Sequence, residues 1–248
     1  MSLKDYRTAF VTGASSGIGA AIARALAGAG LEVHACARRR DRLDELAATA
    51  GCTPHVLDVN EADSLYRALE ELEIDILVNN AGLGRAYDGF SRAGREDIDT
   101  VIGTNVSALI HATRAVLPGM IERRRGHVVN LGSIAGMYPL GFSVYGASKG
   151  AVRLFSQNLR LELHGSGVRV TEICPGRVAS EFFVTATGDP DAAAGFTQGL
   201  ECLVPEDVAE AVMFALDAPW RCNVSTIELL PTEQTVGAVH INPVERTG

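Results

Sequence analysis

Thr12-Gly13-Ala14-Ser15-Ser16-Gly17-Ile18-Gly19 follows the short run Thr8–Thr12 and leads straight into an alanine-rich stretch with apolar residues at three- and four-residue spacing. A strand, a glycine turn and a helix in that order predict the opening of a βαβ unit. The glycines let the backbone bend sharply and come close to a ligand, while the first helical turn presents free N–H groups and the positive end of its dipole. Such a turn suits a pyrophosphate, so Gly13, Ser15, Ser16, Gly17, Ile18 and Gly19 are the first candidate binding residues.

Working outward from that turn, the alternation continues along the chain. Strands are expected at 8–12, 32–37, 53–57, 74–79, 127–131, 169–173 and 225–230, and helices at about 17–28, 40–50, 61–72, 98–123, 143–164 and 205–216. Brief apolar strands separated by longer helical patterns, with no Pro/Ser-rich linker, predict an α/β fold. The expected form is a Rossmann-type, doubly wound sheet of seven parallel strands flanked by helices, with 1–248 as a single domain. Two segments break the pattern. One is 82–96, with Gly82, Gly84, Gly89 and Gly94, which reads as a loop with a short helix at most. The other is 177–203, which follows Pro175-Gly176, carries Gly188-Asp189-Pro190 and Gly195, and reads as a mobile substrate loop with broken helix. Both lie beyond strand carboxyl ends, where open α/β sheets bind ligands.

Composition narrows the function classes. Hydrophobic residues at 47% and charged residues at 21% describe a globular chain without a long disordered tail. A net charge of −8 disfavours a nucleic-acid backbone or an anionic membrane as partner, so a bound anion needs a local basic site. The charged N-terminus followed by a short apolar run does not fit a signal peptide, and the most apolar long stretch, 20–37, contains Arg24 and Glu32. A cytoplasmic protein with no membrane segment is expected. Five cysteines without C-x-x-C spacing and six scattered histidines indicate neither a disulfide framework nor a metal site.

A ribose hydroxyl as target calls for an acid at the end of the second strand, but the chain has Ala37 there, followed by Arg38, Arg39 and Arg40. These suit a 2′-phosphate, so NADP rather than NAD is expected. Their alternative is to cover the start of the next helix, where they would oppose its dipole. Asp58-Val59 closes the third strand, where an adenine amino group can be held, and Asn79-Asn80-Ala81-Gly82 closes the fourth. A helix cap and an Asn-rich turn are the plain alternatives for those two. Further on, Tyr145 and Lys149 stand four apart, on one face of a helix. The ammonium is expected to favour the ionised phenol, making a proton-transfer device, with Ser133 holding a carbonyl or hydroxyl beside it.

Taken together, Thr12-Gly-x-x-x-Gly-x-Gly19, Asn79-Asn-Ala-Gly82, Asn105, Ser133, Tyr145-x-x-x-Lys149 and Pro175-Gly176 stand in an order and spacing that resembles the short-chain dehydrogenases/reductases. More narrowly, Val116-Leu-Pro-Gly-Met120, Pro205-Glu-Asp-Val208 and 223–231 resemble the NADP-dependent 3-hydroxy acid (serine) dehydrogenase branch. The resemblance implies an NADP-dependent oxidoreductase moving a hydride between NADP(H) and an alcohol or carbonyl, with a small 3-hydroxy acid such as serine or 3-hydroxypropionate as the expected substrate. It implies Tyr145 as proton donor and acceptor, Lys149 on the ribose hydroxyls, Ser133 on the substrate oxygen and Asn105 in a proton relay through water. Asn80, Ala81 and Gly82, together with Pro175, Gly176 and Val178, join the cofactor-binding set. It also implies a homodimer or homotetramer paired through the 98–123 and 143–164 helices and the last strand.

Two other functions are weighed beside this one. A carbonyl reductase for a bulkier apolar ketone is possible if Met137, Tyr138, Phe142, Phe182 and Phe183 line an oily pocket rather than the core or a subunit contact. A non-catalytic NADP-binding regulator is opposed by the intact Ser133, Tyr145 and Lys149. Arg177 stands where an apolar residue is less surprising. It or Arg85 is a candidate for a substrate carboxylate, the alternative for Arg177 being a pair with Glu181 or exposure to water.

Overall fold

The computed structural model describes residues 2–85 and 89–235; Met1, residues 86–88 of the glycine-rich loop and the stretch after 235 lie outside the described residues. Strands β1 (Thr8–Thr12), β2 (Glu32–Ala37), β3 (Thr53–Val56), β4 (Ile76–Asn79), β5 (Gly126–Leu131), β6 (Val168–Pro175) and β7 (Thr226–Leu229) form one sheet in the order β3-β2-β1-β4-β5-β6-β7. Every pairing is parallel. Chain direction across the sheet reverses between β1 and β4, and Val11 stands opposite both Ala35 and Val78. The carboxyl ends of β1, β2 and β4 therefore come level at the point where α/β sheets open a crevice.

Alternate residues of the central strands face opposite layers. Val11, Val33, Ile76 and Val129 pack with Ile22 and Leu26 of α1 (Gly17–Gly28), Leu43 of α2 (Arg40–Ala50) and Val212 and Leu216 of α9 (Pro205–Asp217). On the other face Phe10, Leu77, Val128 and Val170 meet Leu65 of α3 (Ala62–Glu70), Val116 of α5 (Ala108–Glu122) and Leu159 of α6 (Ser143–Glu162). Each fully buried Leu or Ile of this kind contributes roughly 1.5–3 kcal/mol by transfer from water.

The sequence pattern at 98–123 predicts one helix, and the structure differs. Helix α4 (Arg95–Ile102) begins earlier, then a wide π-turn at Gly103–Ser107 precedes α5. The turn is held by side chains: Asn105 binds both the N–H and the C=O of Leu83 at 2.9 Å, and Thr104 accepts from Asn60 Nδ2 at 3.0 Å. Local polar bonds override the regular helical pattern here, and π-turns recur at functional positions. In 177–203 the broken helix takes the form of α7 (Phe182–Thr187) and α8 (Pro190–Ala194).

The histidines scattered in sequence are not all apart in space. Parallel pairing of β2 with β3 sets His34 Nδ1 2.8 Å from His55 Nε2, with Glu32 Oε1 3.3 Å from His34 Nε2. Burial holds His34 and His55 below the usual histidine range and His127 well below it. An imidazole with a depressed folded pKa binds more protons once unfolded, so its stabilisation is complete above about pH 6.5 and is lost as pH falls through that value. Tm measured by scanning fluorimetry is expected to fall between about pH 7.5 and about pH 5.5, with a shallower slope in His55→Gln. Equal slopes for the two proteins would show that this pair does not carry the effect.

Candidate active site

The glycine turn is built by its neighbours. Thr12 Oγ1 donates to Val78 O at 3.3 Å and accepts the backbone N–H groups of Asn80 and Ala81, each at 3.0 Å. Asn80 Nδ2 donates to Thr12 O at 2.9 Å and Gly13 O at 3.2 Å. Gly13 has φ +67°, and a Cβ there would lie 2.8 Å from Ala81 Cα; a Cβ on Gly19 would strike the Gly13 carbonyl. Only glycine fits these two positions, and the space they leave continues into a cavity of about 540 Å³.

That cavity runs along the carboxyl ends of the sheet. It is lined at one end by Gly13, Ser15, Ser16, Gly17, Ile18, Arg38, Arg39, Asp58 and Val59, in the middle by Asn80, Ala81 and Gly82, and at the other end by Ser133, Tyr145, Lys149, Pro175, Gly176 and Val178. The sequence-predicted cofactor set thus converges on one crevice. Gly19 stands behind the turn. Asn105 touches the site from below, with its Oδ1 3.3 Å and Lys149 Nζ 3.5 Å from where a Gly82 Cβ would be.

Arg39 reaches across the turn, donating to Ser15 Oγ at 3.1 Å, Ser16 Oγ at 2.6 Å and Glu181 Oε2 at 2.9 Å. The Arg39 hydrogen bond holds the Glu181 carboxyl below the usual carboxylate range. Arg38 lies 3.7 Å from Asp58, which accepts from the backbone and side-chain nitrogens of Asn60. Asp58 therefore fixes a turn ahead of α3 rather than capping it, since Glu61 holds the cap position.

At the far end Ser133 Oγ accepts the Ala135 N–H at 3.1 Å and shares a hydrogen bond with the Tyr145 hydroxyl. Lys149, 6% exposed, donates to Leu131 O at 2.7 Å, and its Nζ lies 5.8 Å from the Tyr145 ring centre. Asn105 Nδ2 donates to Ser148 Oγ at 3.0 Å on the same helix. The sequence pattern predicts that Lys149 lowers the phenol pKa; the structure corrects this. Burial pushes Tyr145 up to about 12 against the opposing Ser133 bond, and burial pushes Lys149 down to about 8. Desolvation dominates at both groups, and the ammonium is bonded to the Leu131 carbonyl.

Phe142, Phe182, Phe183 and Phe196 also line the cavity, the Phe182 ring 5.4 Å from Tyr145. Met137 and Tyr138, expected beside them, are not among the lining residues; the Tyr138 hydroxyl turns to Glu228 at 3.3 Å. Arg85 is likewise away from the cavity, paired with Asp97 at 3.0 Å, whereas Arg177 lines it. The expected alternative of an Arg177–Glu181 pair does not form, since Glu181 is engaged by Arg39 and Arg42. The sequence names Glu181 only beside Arg177 and does not mark its pairing with Arg39 and Arg42, nor Phe196 and Gln234 in the lining, since no motif carries them.

A parallel sheet with a glycine turn at its switch point and a Ser-Tyr-Lys group in the same crevice defines a dinucleotide-dependent oxidoreductase type of site. The comparisons with known proteins agree. The short chain dehydrogenase family matches residues 7–190. The chain is 43% identical to the NADP-dependent 3-hydroxy acid dehydrogenase YdfG of Escherichia coli, over 94% of this chain and 98% of that protein. It is 44% identical to an uncharacterized short-chain type dehydrogenase/reductase of Sinorhizobium fredii, over 98% of this chain and 99% of the relative. A solved structure, the closed form of serine dehydrogenase complexed with NADP+, superposes with a TM-score of 0.90 at 42% identity, covering 96% of this chain and all of that one. The chain belongs to the short-chain dehydrogenase family.

Proposed function

We propose that the chain is an NADP-dependent oxidoreductase that interconverts an alcohol and its carbonyl, with 3-hydroxy acids as the substrate class. The observation that carries this reading is the presence of Ser133, Tyr145 and Lys149 in the same cavity as the glycine turn. The residues fit the cofactor: the turn leaves room only where Gly13 and Gly19 lack a Cβ, and Arg39 stands over Ser15 and Ser16. In this reading Gly13, Ser15, Ser16, Gly17, Ile18 and Gly19 hold the pyrophosphate and Arg38 and Arg39 hold the 2′-phosphate. Asp58 and Val59 hold the adenine, while Asn80, Ala81, Gly82, Pro175, Gly176 and Val178 line the path to the nicotinamide. When bound, NADPH supplies the hydride.

The chain's own residues handle binding and the proton. Ser133 orients the substrate oxygen toward Tyr145, and the phenol gives its proton to that oxygen as the carbonyl carbon is reduced. A phenol raised to about 12 is protonated at neutral pH, the form needed to donate to a carbonyl oxygen. Lys149 holds the ribose hydroxyls, and Asn105, bonded to Leu83 and Ser148, keeps the relay that returns a proton to Tyr145. The four phenylalanines on the substrate side favour a second reading, reduction of a bulkier apolar ketone.

Tyr145→Phe is expected to lower kcat for NADPH-dependent carbonyl reduction by roughly a hundred- to ten-thousandfold, the usual share of a positioned proton donor. Retained turnover would assign the proton to another group. Arg39→Ala is expected to narrow the NADPH-over-NADH preference about tenfold, the effect of losing one charge-assisted contact. A wild-type enzyme that prefers NADH would overturn the 2′-phosphate assignment.

The same reading makes the protein a cytoplasmic homodimer or homotetramer. Its five cysteines are free, and no described helix is long and apolar enough to cross a membrane. Ile110 and Ile121 on α5, Leu154 and Leu161 on α6, Phe214 on α9 and Trp220 just after it are exposed. Leu161, 75% exposed, lies on one of the helices expected to pair. Light scattering after gel filtration should give a multiple of 26.2 kDa, lowered by Leu161→Glu. A wild-type mass of 26.2 kDa at micromolar concentration would rule the assembly out.

A further inference from the structure

Arg177 leaves the end of β6 with its backbone fixed on both sides, its N–H held by Gln234 Oε1 at 2.8 Å and its C=O accepting the Leu203 N–H at 3.1 Å. The side chain lines the cavity, yet Nη1 is closed off from water and has no hydrogen-bond partner among the described residues. Burial lowers the guanidinium pKa, and the acidic group beside it is the Cys202 thiol, which burial pushes up and so keeps uncharged. Arg177 as a whole is half-buried, but its enclosed Nη1 lacks an acceptor, and an anion arriving in the cavity supplies one.

Among the described residues the cavity makes no matching provision for a cation. Its described carboxylates are Asp58 and Glu181. Asp58 serves Asn60 and lies beside Arg38, and Glu181 is clamped by Arg39 at 2.9 Å and Arg42 at 3.8 Å. A substrate ammonium therefore meets no open carboxylate among the described residues. What stands beside Tyr145 instead is aromatic: Phe182 at 5.4 Å, then Phe183 and Phe196 stacked at 4.9 Å with their planes 5° apart. Such a wall suits an apolar or aryl group.

Resting on the oxidoreductase reading above, we propose that the substrate is a 3-oxo or 3-hydroxy acid that lacks an amino group, its carboxylate paired with Arg177 and its apolar substituent against Phe182, Phe183 and Phe196. In the reductive direction a hydride passes from NADPH to the carbonyl carbon and a proton from Tyr145 to its oxygen, leaving NADP+ and the hydroxy acid.

The test compares acid with ester, using the enzyme with NADPH. The ratio of kcat/KM for 3-oxo-3-phenylpropanoate over its methyl ester is expected to be at least about tenfold, to collapse in Arg177→Leu and to be partly kept in Arg177→Lys. With NADP+, 3-hydroxy-3-phenylpropanoate is expected to exceed serine in kcat/KM by at least about tenfold. Calorimetry on the NADP+-loaded enzyme should show 3-phenylpropanoate binding at least about tenfold more tightly than 3-phenylpropanamide, a measurement that needs neither turnover nor a folded variant. Equal use of acid and ester, a ratio unmoved by Arg177→Leu, a preference for serine, or equal binding of acid and amide would each overturn the assignment. Good turnover of the ester together with any of these leaves the oxidoreductase reading intact. Failure to reduce any carbonyl, with the acid still bound preferentially, would instead sink that reading and keep the carboxylate site.

Discussion

The contact between the first and fourth strands through the Thr12 hydroxyl and the Asn80 amide is the constraint on which the site depends. One hydroxyl accepts two backbone N–H groups and donates to a third residue, and one side-chain amide holds two carbonyls of the glycine turn. All of these groups lie at the carboxyl ends of two neighbouring strands, at the switch point of the sheet and just past the last β1–β4 register pair, Val11 with Val78. Because Asn80 spends its amide on backbone, the β4 end and the glycine turn move as one piece. That fixed floor is what allows a crevice about 540 Å³ in volume to remain open between elements that would otherwise pack together.

The opposite end of the crevice is organised by the cost of burying charge. Lys149 is almost wholly enclosed and meets a backbone carbonyl, so its own pKa falls rather than that of the tyrosine. Behind it on β6 stand Glu172, 1% exposed and raised by burial, and Cys174, pushed up to about 12. Arg153 approaches the Glu172 carboxylate only to 3.7 Å. Burial next to Ser133 thus works against the charged form of each of these groups, and it keeps Tyr145 and Cys174 protonated. In such surroundings a protonated phenol is the stable partner for an incoming carbonyl oxygen.

Legibility of the chain follows from which interactions are local. The turn at 12–19 and the helix at 17–28 were readable because strand, glycines and an amphipathic pattern are contiguous, and the helix bounds agree with Gly17–Gly28. The Tyr145 and Lys149 pair was readable because four-residue spacing fixes a shared face. Three features were not. The break at Gly103–Ser107 depends on Asn105 meeting Leu83, 22 residues away. The His34–His55 contact depends on strand register. The direction of the Tyr145 shift depends on enclosure, which a spacing does not encode.

Glu181 joins the two ends of the cavity in one short segment. Its carboxylate pairs with Arg39 at the glycine turn, four residues after Arg177 and directly before the aromatic pair Phe182 and Phe183. Ser180, one residue earlier, comes within 3.4 Å of where a Gly17 Cβ would stand. The segment that carries Arg177, Phe182 and Phe183 is thus tied to the arginine at the glycine turn. Arg39 offers a fork of donors, and two of its partners are the neutral hydroxyls of Ser15 and Ser16. A phosphate brings more negative charge than one carboxylate, so an anion seated on those serines competes with Glu181 for the same guanidinium. The pair is partly exposed on both sides, so breaking it costs little, on the order of 1 kcal/mol or less. The tie between Arg39 and the segment that follows Arg177 therefore rests on an interaction weak enough to be exchanged.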